Sequence, residues 1–402
     1  MSKVKLGEIA EITKLAGFEF TKYINYNDTG EIIALRALNL RNGRLDLTDI
    51  KRIDRNVSES LLRSKLYIND ILLTYTGNGY GDCAIIEEDD KYHLAPNICK
   101  ITPDVNKVNP YYLYTVIRNP SFRMLMSNYV TGSGQPTIPM KTIRILEIEL
   151  PERELQDKIA DFIRNIDEKI VINGKINDNL LQQARALYQS WFVDYEPFGG
   201  VRPSDWIDDT IDGLAKEVIC GKTPSTKVSE YYGNDIPFIT IPDMHGNTYA
   251  VTTERYLSLY GAQSQPKKTL PRNSICVSCI GTAGLVTLTA QESQTNQQIN
   301  SIIPKEGYSP YYIYLLMETL SVIINNLGQS GSTIVNLNKA QFGKIAVVIP
   351  SIEIMKSFDE IVSPMFEAIL SNQEENIKLA ELRDSLLPRL MSGELDVSEL
   401  DI

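Results

Sequence analysis

Two stretches of the chain carry apolar residues at helical spacing over an unusual length. In the first, apolar side chains recur every three or four positions from Leu155 to Trp191, apart from a polar stretch after Ile170. In the second, the same stripe recurs from Ile354 to Leu390 at an offset of 199 residues, with Arg383 as the one charged member. Each stripe covers about 37 residues, or about 55 Å of helix, which is too long for a surface helix that packs only on its own domain. We therefore predict two long helices that pair antiparallel as a coiled coil, with a globular domain near each end.

The stripes also predict which residues pair the helices. Asn173 and Asn372 occupy equivalent positions in the otherwise apolar pattern, and a single asparagine in such a seam can fix the register of two helices. The residues expected in the seam are Leu155, Ile159, Phe162, Ile166, Asn173 and Leu180 in the first helix and Phe358, Met365, Asn372, Leu379 and Leu386 in the second.

The segments before each helix are short, rich in β-branched residues and interrupted by turn signals. Runs at 32–40, 71–76 and 275–280 each lead into a glycine-containing turn and predict strands, and the runs at 143–150 and 345–349 predict closing strands. Asn109-Pro110 and Ser309-Pro310 predict helix starts, because Asn and Ser cap helices and proline suits the first helical position. Each globular segment is therefore expected to be α+β.

The same motifs occur twice in the same order. Asn69-Asp70-Ile71 matches Asn273-Ser274-Ile275, the segment 109–114 matches 309–314, and Pro151 matches Pro350. Such self-similarity identifies one unit of roughly 200 residues present twice. We predict a domain at 1–150, a helix at 151–195, a linker at 196–206, a second domain at 207–350, and a helix with a short tail at 351–402.

Composition narrows the class of protein. The chain has 402 residues with 43% hydrophobic and 23% charged residues, as in ordinary globular proteins, and its five cysteines are too few for a disulfide framework. No run approaches the roughly 18 apolar residues of a membrane span, and no leader is evident, so we expect a cytoplasmic protein.

The net charge of −11 argues at first against a nucleic-acid partner. The excess of acidic residues lies in the predicted helical segments, however, and the globular segments are close to neutral. The globular segments therefore remain compatible with DNA, whereas the helices suit a protein partner better.

No catalytic constellation is convincing. His93 and His245 occupy non-matching positions, which makes a histidine-centred site improbable, and we interpret both as ordinary surface or loop residues. Cys276 and Cys279 have CxxC spacing but no second pair, so we interpret them as part of a buried strand and predict no metal site. Gly221-Lys222-Thr223 lacks the upstream glycine of a phosphate-binding loop, because Lys216 stands there.

Asn109-Pro110-Tyr111-Tyr112 is close to the Asn-Pro-Pro-Tyr signature of enzymes that methylate base amino groups. The alternative of a free-standing DNA adenine methyltransferase rests on this motif alone. A glycine-rich nucleotide-binding turn is absent from the sequence, and the second copy begins with Ser309. A helix start explains both copies.

The chain resembles the specificity (S) subunit of type I DNA restriction-modification systems over essentially its full length. The resemblance is carried by the start at 6–12, by Gly221-Lys222-Thr223-Pro224-Ser225 with the segment 232–239, and by the helix ends at 190–195 and 386–395. The first start reads differently at 14–20, so the two domains look like different subtypes.

The resemblance implies that each globular segment is a target recognition domain that reads one part of a split, asymmetric double-stranded DNA site. It also implies that the paired helices dock two methyltransferase subunits, which bring S-adenosylmethionine and the catalytic residues, and that motor-endonuclease subunits can join. The chain itself is then expected to be no enzyme and to bind no cofactor. An S-like scaffold that does not read DNA is a further alternative.

Candidate DNA contacts are polar residues on loops, since base edges and phosphates are read by Arg, Lys, Asn, Gln, Ser and Thr. In the first domain the candidates are Arg36, Asn39, Arg41, Arg44, Thr76, Asn78, Tyr80, Ser133, Gln135 and Lys141. In the second domain they are Thr240, Asn247, Thr282, Asn296, Gln297, Gln298, Ser330, Ser332 and Lys339.

Overall fold

The computed structural model describes residues 2–41, 43–132, 134–328, 336–392 and 394–395. The chain divides into two compact units. Unit 1 contains Met1–Lys169 and Leu379–Ile402, and unit 2 contains Ile170–Lys378. Each unit therefore combines one globular domain with parts of both long helices, whereas the sequence pattern placed boundaries where domain and helix meet.

The globular part of unit 1 is built around an antiparallel sheet. Its strands are β1 (Ser2–Lys5), β2 (Ala10–Lys14), β3 (Ile32–Leu35), β4 (Leu40–Arg41), β5 (Arg44–Leu45), β6 (Lys51–Ile53), β7 (Ile71–Thr74), β8 (Cys83–Ile85), β9 (Tyr92–Leu94), β10 (Ile98–Pro103) and β11 (Glu147–Leu150). Its helices are α1 (Leu6–Ile9), α2 (Gly17–Tyr23), α3 (Arg55–Ser60), α4 (Pro110–Arg118), α5 (Pro120–Ser127) and α6 (Met140–Ile145), and α7 (Arg153–Tyr188) follows. The sheet has the order β2-β10-β7-β8, β3 lies between β6 and β9, and β1 pairs with β11.

The globular part of unit 2 repeats this plan. Its strands are β12 (Ile207–Thr210), β13 (Ala215–Cys220), β14 (Tyr232–Ile239), β15 (Tyr249–Ala250), β16 (Tyr256–Leu257), β17 (Ile275–Ser278), β18 (Val286–Thr289), β19 (Gln294–Thr295), β20 (Ile299–Pro304) and β21 (Ala346–Ile349). Its helices are α8 (Ile211–Leu214), α9 (Ile241–Met244), α10 (Leu259–Gln263), α11 (Pro310–Thr319), α12 (Ser321–Gly328) and α13 (Lys339–Gly343), and α14 (Ile352–Ser392) follows.

The two sheets have the same strand order. In unit 2, β13-β20-β17-β18 corresponds to β2-β10-β7-β8, and β15 adds a fifth strand that pairs in parallel with β18. The smaller sheets also correspond, since β14 pairs in parallel with β19 as β3 does with β9. The predicted α+β fold and internal repeat are therefore confirmed.

Two predicted strands are partly wrong. The run at 32–40 is a strand only through Leu35, because a 3-10 turn over Ala37–Asn39 follows, in which the Asn39 side chain accepts the backbone N–H of Arg36 at 3.0 Å. The run at 143–150 begins as the end of α6, and only Glu147–Leu150 pairs with β1. Apolar content alone does not separate a short buried helix from a strand, and the pairing partner decides between them.

In unit 2 the long helices run antiparallel and are joined by two equivalent hydrogen bonds. Asn173 Nδ2 donates to Asn376 Oδ1 at 2.9 Å, and Asn372 Nδ2 donates to Asn177 Oδ1 at 2.8 Å. The repeat relates these bonds, because Asn173 corresponds to Asn372 and Asn177 to Asn376. Sliding one helix along the other would break both bonds, so they favour this register.

The apolar stripes in unit 2 also pack on the domain. The Phe358 ring lies 4.8 Å from that of Phe192, and Phe192 lies 4.8 Å from Tyr312 of α11. Leu180 and Met365 pack against the same core. The prediction of a seam devoted to helix pairing alone was therefore too narrow, because the same residues bury the domain core.

In unit 1 the helices are joined by a buried ion pair, with Arg383 Nη1 2.9 Å from Asp167 Oδ1. The predicted seam residues of this unit are buried or half-buried. Ile159, Phe162, Ile166 and Leu386 are buried, and Leu155 and Leu379 are half-buried.

Candidate nucleic-acid interface

Three loops meet at one end of the large sheet in unit 2. β13 ends at Cys220 opposite Asn300, and β17 ends at Ser278 opposite Ile299, so the segments 221–224, 279–285 and 296–298 emerge together. The Lys222 N–H donates to the carbonyl of Thr295 at 2.9 Å. We call these three segments the unit 2 loop cluster.

The unit 2 loop cluster contains four of the predicted DNA-contact residues. Thr282 and Gln297 are exposed, and Gln298 is half-exposed. Asn296 is buried, and its side chain accepts the Gln298 N–H and donates to Gln298 Oε1, both at 3.0 Å. Asn296 therefore shapes the loop, and its prediction as an exposed base contact is corrected.

Sequence reasoning missed Lys222 and Thr223 as parts of this surface. The Thr223 hydroxyl donates to Gln297 Oε1 at 2.7 Å, and Lys222 is exposed. A Cβ atom on Gly221 would lie 2.1 Å from the Asn296 carbonyl oxygen, so only glycine permits this close approach. The available signal was the Gly221-Lys222-Thr223-Pro224 motif, which carried the family resemblance but was not predicted to lie among the DNA contacts.

Loops also meet at the corresponding end of the large sheet in unit 1. β2 ends at Lys14 and β7 at Thr74, and both ends lie beside the start of β10. Thr76 bridges to Thr137, and the Gly77 N–H donates to the carbonyl of Pro136 at 2.8 Å. The segments 76–81, 131–132 and 134–137 therefore form a unit 1 loop cluster.

Exposed residues and cations mark this first cluster. Asn78 and Gln135 are exposed, and the half-buried Tyr80 ring is covered by the guanidinium of Arg123 at 5.4 Å. The Lys14 ammonium lies 5.3 Å from the Tyr75 ring. Lys14 and Arg123 were missed by sequence reasoning, because neither lies within the loops that carried the pattern.

Most of the predicted contacts at 36–44 serve the internal structure of unit 1. Arg36 pairs with Asp49 at 3.0 Å, and Arg44 donates to the carbonyl of Asp167 at 3.1 Å. Asn39 is fully buried and donates to two carbonyl groups of its own segment. Asn39 is thus a structural residue and not the exposed base contact that the sequence suggested.

Arg41 is exposed and lies near Asp82, which directly follows the segment 76–81. Its side chain also pairs with Asp46 at 3.7 Å. Burial raises the pKa of Asp82, beside this cluster, although Arg123 and Arg41 favour its charged form. The side chains of Arg123 and Asp82 lie 3.3 Å apart. Arg41 therefore stays a candidate for phosphate contact.

The remaining candidates of unit 2 are placed around its loop cluster. The Thr240 hydroxyl donates to Asp243 Oδ2 at 2.6 Å. Thr240 directly follows Ile239, whose carbonyl accepts the Asn296 N–H. Asn247 is exposed and donates to the Asp243 carbonyl at 3.2 Å.

Two exposed lysines begin the short helices that follow the loops. Lys339 starts α13, three residues after Asn336, which forms a β-bridge with Ile280. Lys141 lies in the first turn of α6, shortly after Thr137, which forms a β-bridge with Thr76. Ser133, Ser330 and Ser332 lie outside the described residues.

The motifs considered for catalysis have structural roles. Asn109 Oδ1 accepts the N–H groups of Tyr111 and Tyr112, at 2.9 and 3.0 Å, and Ser309 caps α11 in the same way through Tyr312. The prediction of two helix starts is therefore confirmed, and the methyltransferase interpretation of Asn109 loses its basis.

The cysteine pair and the histidines also have structural explanations. Cys276 and Cys279 are buried in different apolar clusters, so they do not share a ligand site. His245 is exposed as predicted, but His93 is fully buried in β9, where burial lowers its pKa, so its prediction as a surface or loop residue was wrong.

Within the described part of the chain, no group of three or more His, Cys, Asp or Glu side chains is placed to hold a metal ion. None of the described helices has the length and apolar character needed to cross a membrane.

Two copies of one α+β domain, each with polar loops gathered at the same end of its sheet, define a duplicated binding protein. A family model described as the type I restriction modification DNA specificity domain matches residues 1–182 and 203–381. The chain belongs to this family, and it is a DNA specificity subunit and not the catalytic component.

Type I specificity subunits from other organisms resemble this chain along most of its length. It is 32% identical to the specificity subunit of the type I restriction enzyme HindI from Haemophilus influenzae, over 94% of this chain and 96% of that protein. It is 25% identical to the MjaIX specificity subunit of Methanocaldococcus jannaschii, over 72% of this chain and 70% of the relative. The S subunit of a type I system from M. genitalium shares the fold, with a TM-score of 0.58 at 14% identity over 97% of this chain and 95% of that one.

Proposed function

We propose that this specificity subunit reads a split, asymmetric double-stranded DNA target, one part with each domain. The observation that carries the proposal is the pair of loop clusters, which emerge at equivalent ends of equivalent sheets but present different side chains. Unit 1 offers Asn78, Gln135 and Arg123, whereas unit 2 offers Lys222 and Gln297. Because direct readout depends on the donors and acceptors presented, two unlike clusters imply two unlike target parts.

We further propose that the paired helices dock two methyltransferase subunits, which carry S-adenosylmethionine and the reactive groups, and that motor-endonuclease subunits can join them. The surface of the helices supports a protein partner. Ile172 and Ile176 lie one turn apart on α7 and are exposed, as are Ile361 and Leu382 on α14. Exposed apolar residues among acidic ones suit another protein better than a phosphate backbone.

The test is to purify the chain with its methyltransferase partner and to map modified bases across a host genome. A target of two parts separated by an unread spacer is expected. Replacing residues 1–150 with another recognition domain should then change one part and leave the other intact.

Three results would contradict the proposal. Modification at a continuous site would refute a split target, and a change in both parts after the exchange would refute independent reading. An assembled complex without DNA binding would favour the alternative of a protein scaffold.

A further inference from the structure

The loop 296–298 of unit 2 is held from both sides. The N–H of Asn296 donates to the carbonyl of Ile239 at 3.2 Å, and the N–H of Cys279 donates to the carbonyl of Gln298 at 2.8 Å. Within the loop, the buried Asn296 side chain makes two hydrogen bonds to Gln298. The backbone on each side of Gln297 is therefore fixed, while the Gln297 side chain is exposed.

Thr223 orients the amide group of Gln297. Its hydroxyl donates to Gln297 Oε1 at 2.7 Å, which leaves the second lone pair of Oε1 and both Nε2 hydrogens available. Thr223 is held in turn by its neighbour Lys222, whose N–H donates to Thr295 at 2.9 Å and whose carbonyl accepts from Gln265 at 2.8 Å. An amide held in this way is ordered before any ligand binds, which reduces the entropy lost on binding.

The available atoms match one base best. A glutamine amide offers one donor and one acceptor in a plane, and adenine presents the complementary N7 acceptor and N6 donor in the major groove. Guanine presents two acceptors there, and cytosine presents a donor. Resting on the proposed function, we propose that Gln297 reads an adenine in the part of the target recognised by the second domain, and that Thr223 is its positioning residue.

Lys222 supplies a cation next to this amide. Its side chain is exposed, and within the described ranges it forms no ion pair. Since its backbone N–H and carbonyl are both used within the protein, the ammonium is the part of Lys222 left for DNA. Lysine contacts to phosphate set the position of a reading group without reading sequence themselves.

The test compares modified-base maps for complexes built with the full chain. Gln297→Ala should reduce the preference for adenine by roughly 5- to 150-fold at one position of one target part, the range expected for a bidentate pair, and leave the other part unchanged. Thr223→Val should weaken the same preference, whereas Thr223→Ser should retain it, because serine keeps the hydroxyl. Gln291→Ala is a matched control, since Gln291 is exposed in the same domain but lies after β18, at the far end of the sheet.

The outcomes separate this inference from the proposed function. If the Gln297→Ala complex assembles and methylates with an unchanged target, the inference is overturned while the subunit still reads a split site. Lost discrimination at a guanine or cytosine position would overturn the adenine assignment. If the unaltered complex shows no split target, the proposed function itself fails. Lys222→Ala should weaken binding to all sequences about equally, and a change in base preference would contradict its assignment to phosphate.

Discussion

Replacing Asp167 with alanine should destabilise unit 1, because this carboxylate neutralises two buried cations. It accepts hydrogen bonds from Arg118 at 2.7 Å, from Arg383 at 2.9 Å and from the Tyr111 hydroxyl at 2.8 Å. The side chains of Asp167, Arg118 and Arg383 are only 8%, 11% and 16% exposed. Arg383 would keep its pair with Asp384 at 2.8 Å, but Arg118 would lose its carboxylate partner, and water can do little to replace it.

The size of the effect follows from burial. Removing one partner of a buried ion pair costs about 3–5 kcal/mol, so Asp167→Ala should lower the free energy of unfolding of unit 1 by at least about 3 kcal/mol. Glu367 is a matched control, because it accepts a hydrogen bond from Tyr311, the counterpart of Tyr111, and pairs with Arg272 at 2.6 Å. Both members of that pair are 47% exposed, so Glu367→Ala should cost less than about 1 kcal/mol.

Hydrogen-exchange mass spectrometry of the full chain is the suitable assay, because it reports on the two units separately. Asp167→Ala should lower protection in peptides covering 110–118 and 379–390 and leave 310–319 unchanged. Glu367→Ala should change protection little anywhere. Equal losses in the two variants, or unchanged protection with Asp167→Ala, would refute the conclusion that burial sets the difference.

The same carboxylate predicts how unit 1 responds to acid. Burial favours its neutral form, but Arg118, Arg383 and the Tyr111 hydroxyl outweigh burial and lower the pKa of Asp167. A carboxyl group with a lowered pKa stabilises the folded state fully above its unfolded pKa of about 3.9 and less as the pH falls through its folded value. Protection of unit 1 should therefore decline below about pH 4, and Asp167→Ala should lack this part of the decline.

Three further predictions concern the helix starts, the cysteines and the helix pair. Asn109→Ala should lower the free energy of unfolding, measured by urea titration, by about 1–2 kcal/mol. Asn109→Ser should recover part of this loss, because Ser309 caps the equivalent helix in the second copy. Lost methylation at unchanged stability would instead support a catalytic role for Asn109. Asn173→Ala should cost about 1–3 kcal/mol in the same assay, because the Asn376 oxygen loses its donor, and an unchanged midpoint would contradict this. Iodoacetamide at neutral pH should label the half-buried Cys220 first. Burial raises the thiol pKa to about 12 in the other four cysteines, which are Cys83, Cys99, Cys276 and Cys279. Early labelling of any of these four would contradict their burial.

Long periodic signals predicted the structure well. The stripes from Leu155 and Ile354 became α7 and α14, and the two asparagines in register, Asn173 and Asn372, make equivalent bonds across the helix pair. Many residues contribute to such a pattern, so single exceptions do not change the result. The bounds of short elements were less predictable. The strand β3 ends at Leu35 and the helix α6 ends at Ile145, where pairing partners or turn hydrogen bonds require it.

The candidate interface was predicted at the level of loops and less well at the level of residues. The glycine-rich loops did meet at one end of each sheet. Asn39 and Asn296, however, are buried and make their side-chain hydrogen bonds within their own segments. Lys222 and Thr223 joined the interface although they lie over 70 positions from Gln297. Sequence pattern marks polar residues, and it does not tell whether their polar atoms are already used within the protein.

The sequence by itself determined the duplication, the α+β class of each copy and the two long helices, because repeats and periodic burial are written in residue order. Only the tertiary structure decided which polar side chains are exposed and which make their hydrogen bonds inside the protein. Asp167 and Glu367 show the difference, since both accept a bond from the equivalent tyrosine, yet one is buried between two arginines and the other is half-exposed. The burial of a side chain and the distance to its partner depend on elements that lie far apart in the chain. These two quantities set how much each ion pair contributes to the free energy of unfolding.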